Sequence, residues 1–231
     1  VNYPSRYPFS HYPASRYPSS RIPYVSYDPT RHLLLTPQDD EAPARVRRLR
    51  ELGIGKNPLP AFDDFARKLA RTTDTPYAMV NFIDEHEQYF AGLYVPGQDK
   101  AIELGPAPAS GRPGRGMARD HGYCPHVVVR RKALVLEDVC DYPRFAGNPV
   151  VDELGIRTYM GAPLIDHTGM TLGTVCVVDL EPRPWGREGL HTIKSLAAEL
   201  VEQIHEMERR QKESESEKQP GSEERSGSEE S

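Results

Sequence analysis

Residues 155–180 read GIRTYMGAPLIDHTGMTLGTVCVVDL, and this stretch decides the fold. It contains two apolar runs, Arg157 to Ile165 and Met170 to Leu180, separated by the polar loop Asp166-His167-Thr168-Gly169. The second run carries Val175, Val177 and Val178, β-branched residues that suit a pleated, half-buried surface. A short polar loop with glycine placed for positive φ, between two such runs, predicts a β-hairpin. Pro163 lies in the first run and has no backbone donor, so that strand is expected to be an edge strand or to bulge there.

Working outward, a long helix follows from about Arg187. Leu190, Ile193, Ala197, Leu200, Ile204 and Met207 recur at alternating spacings of three and four, with Leu196 and Val201 widening the stripe. An a/d pattern of this length predicts either a helix packed on its own sheet or a dimer seam, and the helix's length favours a homodimer. Upstream, Val46, Leu49 and Leu52 mark one helix, and Phe62, Phe65, Ala66, Leu69 and Ala70 make the 3.6-residue stripe of a second. Tyr77 to Asp84 and Gln88 to Val95 are expected strands, as is Ala133 to Glu137; Met117 to His126 is expected to form a short helix or turn.

The ends differ in composition from the middle. Residues 1–40 repeat Tyr-Pro at Tyr3, Tyr7, Tyr12 and Tyr17 among Ser and Arg, which predicts a disordered or polyproline-like tail. After Arg210 the composition turns to Ser, Glu and Gly with no apolar residue, and 210–231 is expected to be a second disordered tail. The folded domain is placed at residues 41–209, with a Gly/Pro-rich flexible insert at 98–116 and an amphipathic C-terminal helix at 187–209.

A net charge of -5 and a pI of about 5.9 argue against nucleic acid as partner. The clusters Arg45-Arg47-Arg48-Arg50 and Arg130-Arg131-Lys132 are short and read as solvated faces. Three cysteines, Cys124, Cys140 and Cys176, form no disulfide framework and fit a cytoplasmic protein. No apolar run reaches the roughly 18 residues of a membrane span, so no membrane partner is expected.

Cys124 with the apolar run after it, then LVLEDVCDYPRFAGNPVV (134–151), GIRTYMGAPL (155–164) and GMTLGTVCVVDLEPR (169–183), resembles the GAF domain, in particular its bacterial sensory type. The likeness extends from about Arg45 to Met207. It implies an α+β sandwich: an antiparallel sheet of about six strands, helices on both faces, and a long terminal helix that often pairs between subunits. It also implies a small-molecule-sensing regulatory role in signal transduction, without enzymatic activity. With no second domain expected in the chain, that role would be exercised as a stand-alone domain, through dimerisation or a protein effector. Two features depart from the family pattern: the insert at 98–116, and Tyr123 where Phe is usual.

The positions that flank the family's cavity are Tyr123, Cys124, Asp138, Arg144, Phe145, Asn148 and Tyr159, and these are the expected ligand-binding residues. Arg144 offers a fork for an anion; Tyr and Phe offer apolar walls with a polar handle. The alternative for the same residues is structural, with Arg144 pinning the loop through Asp138 or Asp141 and Tyr159 in the core. The ligand is not identified, and no cofactor is indicated. His121, Cys124 and His126 lack the spacing of a closed metal site, so no metal is expected. Cys176, in mid-strand, reads as a small buried hydrophobe.

Two alternatives stand beside the sensor. One is a ligand-free interaction or dimerisation module. The other follows GAF proteins that reduce free methionine sulfoxide, with Cys124 as attacking thiolate and Cys140 as resolving cysteine; it requires a lowered thiol pKa and a partner within disulfide reach. Covalent bilin attachment at Cys124 is disfavoured by the intervening Pro125, and cyclic-nucleotide binding by the missing Asn-Lys signature.

Overall fold

The structure, a computed structural model, describes residues 27–28, 33–34, 36–55, 57–96 and 115–217. Within the expected N-terminal tail, β1 (Tyr27–Asp28) pairs antiparallel with β2 (Leu33–Leu34). The Tyr-Pro repeats, nearly all of the 98–116 insert and residues 218–231 lie outside the described residues.

The main sheet has six strands: β3 (Tyr77–Ile83), β4 (Glu87–Tyr94), β5 (Gly116–Ala118), β6 (Leu134–Leu136), β7 (Thr158–Ile165) and β8 (Thr171–Asp179). Their order is β5-β4-β3-β8-β7-β6, and every pairing is antiparallel. β7 and β8 form the expected hairpin, with Gly169 at φ +82 in its turn and Asp166 Oδ1 accepting from the backbone N–H groups of Thr168 and Met170. β8 is central and buried along its whole length. Pro163 sits where β7 outruns β6, whose last partner is Gly161, so its missing donor faces no neighbouring strand on that side. The hairpin bulges at Leu164/Ile165.

One face of the sheet packs α1 (Ala42–Glu51), α2 (Pro60–Thr73) and α6 (Gly186–Glu217). Pro60 opens α2 at a position where its missing donor is harmless, and Asp74 ends it in the left-handed region. Phe62, Phe65 and Leu69 then bury their full stripe, each stabilising by roughly 1.5–3 kcal/mol. The α2 backbone lies close on β4: a Cβ on Gly92 would be 2.2 Å from the Phe62 carbonyl oxygen. The opposite face carries α3 (Cys124–Arg130), a 3-10 turn (Val139–Asp141), α4 (Pro143–Ala146) and α5 (Pro149–Leu154) over a second apolar cluster.

Several expectations are corrected here. The α6 stripe does not await a partner helix: Ile193, Ala197, Leu200 and Ile204 are buried in the chain's own core with Phe62, Leu69 and Met160. The helix also runs on to Glu217, past the expected end at 209. Residues 209–216 are exposed, and i,i+3 and i,i+4 ion pairs from Arg209, Arg210 and Lys212 back to Glu206 and Glu208 support this extension.

Of the α1 arginines, Arg47 and Arg50 are solvated as expected, but Arg45 and Arg48 are not. Arg45 is fully buried, with Nη atoms 2.7 and 2.9 Å from the two Asp39 carboxylate oxygens and Nε donating to the Thr171 carbonyl at 2.7 Å. Burying a guanidinium requires a counter-charge, and Asp39 supplies it from inside the expected tail. Arg48 bridges Asp166 in the hairpin turn and Glu208 in α6. The end of the insert is structured too. Arg115 chelates Asp63 at 2.9 Å through both Nη atoms, and Gly116 begins β5, a strand where a helix or turn was expected.

Candidate functional site

A cavity of about 30 Å³ lies between the sheet and α3, walled by Met79, Phe90, Tyr123, Cys124, Tyr159 and Cys176 among others. Strand alternation supplies its floor. Tyr159 on β7, Cys176 and Thr174 on β8, and Asn81 on β3 all point to the α3 side, while Met160, Val175, Val177 and Val80 point to the α6 side.

Cys124 is the first residue of α3, and its Sγ is 3.3 Å from the Tyr159 hydroxyl and 3.5 Å from Cys176 Sγ. The hydrogen bond from Cys176 draws the Cys124 thiol below its ordinary value against the opposing effect of burial, and the Tyr159 hydroxyl adds to the lowering. Cys176, as the donor of that bond and fully buried, is driven well above the ordinary thiol value. Burial likewise raises Tyr159 and Tyr123. Tyr159 has room to lie along β7 because Gly161 is two residues on; a Cβ there would be 2.2 Å from the tyrosine oxygen.

Beside the thiols is a buried polar cluster. Asn81 Nδ2 donates to Gln88 Oε1 at 2.9 Å, and Gln88 Nε2 donates to the carbonyls of Ala118 and His121. Asn81 Oδ1 and Thr174 Oγ1, on facing residues of β3 and β8, are buried without a hydrogen bond of ordinary length. Both side chains are close enough to Cys124 to favour its thiolate.

Asn148 and Asp138 both pin the cover. Asn148 Nδ2 donates to the Gly122 carbonyl at 2.9 Å while its Oδ1 accepts from Gly122 N–H at 2.8 Å, and the same Oδ1 caps α5 at Val150. Asp138 caps the 3-10 turn through Cys140 N–H and pairs with the Arg157 guanidinium. Burial pushes the Asp138 carboxyl up, but Arg157 and the turn more than offset it and hold it below the ordinary value. Phe145 closes the top, edge-on to Tyr123 at 5.6 Å and to His126 at 5.1 Å.

Of the seven expected residues, Tyr123, Cys124 and Tyr159 line the cavity, Phe145 and Asn148 build its cover, and Asp138 braces the cover from outside. Arg144 does not join them: it is exposed, its guanidinium 5.8 Å from the Phe145 ring, and Arg157 takes the Asp138 pairing considered for it. The thiol that reaches Cys124 is Cys176; Cys140 sits by Asp138 and Arg157 with its thiol raised, chiefly by burial. Asn81, Gln88 and Thr174 were missed, although a lone Asn in the apolar run YAMVNFI is a readable signal.

The cover is also joined to α6. Glu137 accepts the Gly186 N–H through its carboxylate at 2.7 Å and the Arg183 N–H through its carbonyl at 2.9 Å. Glu137 therefore caps the helix that begins at Gly186, and the next residue, Asp138, braces the cover.

The GAF domain model matches residues 57–204. A protein named cyclic di-GMP phosphodiesterase from Pseudomonas aeruginosa is 27% identical over 174 residues, covering 73% of this chain; the chain spans 27% of that relative's length. Among solved structures, free methionine-R-sulfoxide reductase from Neisseria meningitidis has a TM-score of 0.49 at 15% identity, covering 76% of this chain and 96% of that one. The GAF domain of an Acinetobacter phosphoenolpyruvate-protein phosphotransferase has a TM-score of 0.46 at 12% identity, covering 75% and 96%. The expectation of a chain without enzymatic activity is corrected by the sequence relative, which is named a phosphodiesterase. No helix among the described residues is long and apolar enough to cross a membrane.

Proposed function

Because the chain belongs to the GAF domain family, a family of sensory and regulatory domains, we propose that it senses a small molecule in the cavity beneath α3 and relays the cavity's state to α6. The observation that carries this reading is the shared hinge at Glu137 and Asp138, where one residue caps the output helix and its neighbour braces the cavity's cover. The lining favours a compact, mainly apolar ligand with one hydrogen-bonding group, met by Tyr159 or Gln88. A ligand larger than a few waters requires the short helices α4 and α5 to move outward, against the hydrogen bonds of Asn148 and Asp138, the Tyr123 hydroxyl on the Phe145 carbonyl and the His121–Glu153 contact. Three free thiols suit a reducing compartment, and we place the protein in the cytoplasm. Similarity to a segment of a protein named as a phosphodiesterase supports a signalling output, delivered to a protein effector. A homodimer through α6 would use the exposed helix beyond Glu208, since the apolar stripe is already covered.

One observation favours a second reading, an interaction module whose cavity is filled by its own side chains: the cavity is only about 30 Å³. Native mass spectrometry, compared with the denatured sample, separates the two and reports oligomeric state. Extra mass seen only in the native spectrum supports the sensor; a clean apo spectrum under a broad metabolite soak supports the module.

A further inference from the structure

The thiol pair carries an inference that does not depend on a ligand occupying the cavity. We propose that Cys124 and Cys176 form a peroxide-reactive dithiol, in which hydrogen peroxide admitted to the cavity oxidises Cys124 and Cys176 closes a disulfide. Their sulfurs are 3.5 Å apart on different elements, the start of α3 and the middle of β8, and need to approach to about 2.05 Å to bond. Both line the same cavity, whose 30 Å³ fits one or two water-sized molecules and excludes bulky organic hydroperoxides. Polar groups stand close to the pair: the Tyr159 hydroxyl is 3.3 Å from Cys124 Sγ, and Gln88 lines the same cavity.

The pair is asymmetric, as two-step thiol oxidation requires. Cys124 collects the donors that favour a thiolate, the nucleophilic form, while Cys176 stays protonated. In the first step the Cys124 sulfur attacks one peroxide oxygen. The O–O bond breaks, an S–O bond forms, and the departing hydroxide leaves as water with the proton that the thiol gave up. In the second step the Cys176 sulfur attacks the sulfenic sulfur. The S–O bond breaks, the S–S bond forms, and the hydroxyl leaves as a second water with the Cys176 proton. Two thiols lose two electrons in total, and one hydrogen peroxide becomes two waters. The resulting bond ties α3 to the central strand and fixes the cover onto the sheet.

The test uses the reduced full chain, treated with hydrogen peroxide, quenched with an alkylating agent and mapped by mass spectrometry without reduction. The expected product is one intramolecular crosslink, Cys124 to Cys176, with Cys140 recovered as an alkylated free thiol. Cys140→Ser retains the crosslink. Cys176→Ala loses it entirely and accumulates a sulfenic acid at Cys124, trapped by dimedone when the treated protein is unfolded in its presence. Oxidation confined to Cys140, with Cys124 and Cys176 recovered free, overturns the proposal. So does a crosslink that forms only in guanidinium-unfolded protein, a result that the wild-type chain alone can give. A retained ligand mass and a peroxide-induced crosslink are separate readouts, so the sensor reading and this one fail independently.

Discussion

The Glu137 carboxylate accepts the backbone N–H of Gly186 at 2.7 Å, so the strand that leads into the cavity's cover also caps the helix on the far side of the sheet. The cap is exposed and contributes only about 0.3–1 kcal/mol, but the backbone bond from Arg183 N–H to the Glu137 carbonyl holds the same junction without dependence on salt. β7 makes a second connection, with Tyr159 on the cavity face and Met160 on the α6 face. A displacement of the cover thus has two short routes to α6.

Gly161 is expected to be intolerant of any side chain because of one neighbour. Gly161→Ala places Cβ against the Tyr159 hydroxyl, costing about 1–3 kcal/mol as the ring is forced from its place. In a Tyr159→Leu background the same substitution is expected to cost close to nothing. Chemical denaturation of the four proteins in the cycle measures the coupling.

Asn148 separates holding the cover from capping a helix. Asn148→Ala removes the α5 cap and both bonds to Gly122, and is expected to cost about 2 kcal/mol. Asn148→Asp keeps the acceptor and loses the donor to the Gly122 carbonyl, so about half that loss is expected. Thermal melts of the two variants against wild type check the order.

Arg45 is a buried cation whose removal strands a buried anion. Arg45→Met leaves Asp39 with the more distant Arg119 at 3.6 Å and the Glu41 backbone N–H, and about 3 kcal/mol of stability is expected to be lost. Adding Asp39→Asn removes the unpaired charge and is expected to recover part of it. Urea midpoints of the single and double variants provide the comparison.

Acid sensitivity is expected from the Arg48 junction. The hydrogen bond from Arg48, opposed by burial and aided by Lys212, holds Glu208 down at about 2 against an ordinary 4.5. A folded-state value below the unfolded one stabilises fully above about pH 4.5 and loses that contribution as pH falls toward about 2. Asp39, Asp138 and Asp166 are also depressed and add to the same acid limb. Glu208→Gln is expected to be less stable than wild type at neutral pH and to converge on it near pH 2, measured by denaturation across that range.

The hairpin, the α2 stripe and the strand from Tyr77 were readable because local periodicity and turn residues suffice for them. The rest depends on what lies opposite in space. The α6 stripe announces an apolar face, but spacing does not say whether a sheet or a second helix covers it. Four arginines in six residues look alike on paper, and only the position of Asp39, the hairpin turn and Glu208 sets Arg45 and Arg48 apart. Cys176 reads as one more apolar strand residue until α3, whose first residue lies 52 positions earlier, is laid across it. Arg144 lies in the right loop but on the outward side of the turn, a distinction carried by backbone geometry. Asn81 was the one missed site residue with a local signal, a polar side chain in an otherwise apolar strand.

The relay from cover to output helix is tested most directly by amide hydrogen exchange of residues 186–193 in wild type and Arg157→Gln. The Arg157 guanidinium braces Asp138, on the cover side of the junction. If the Glu137–Asp138 hinge couples the two sides, loosening the brace raises exchange in the first turns of α6 as well as across 138–148. Faster exchange confined to 138–148, with α6 unchanged, would contradict the account.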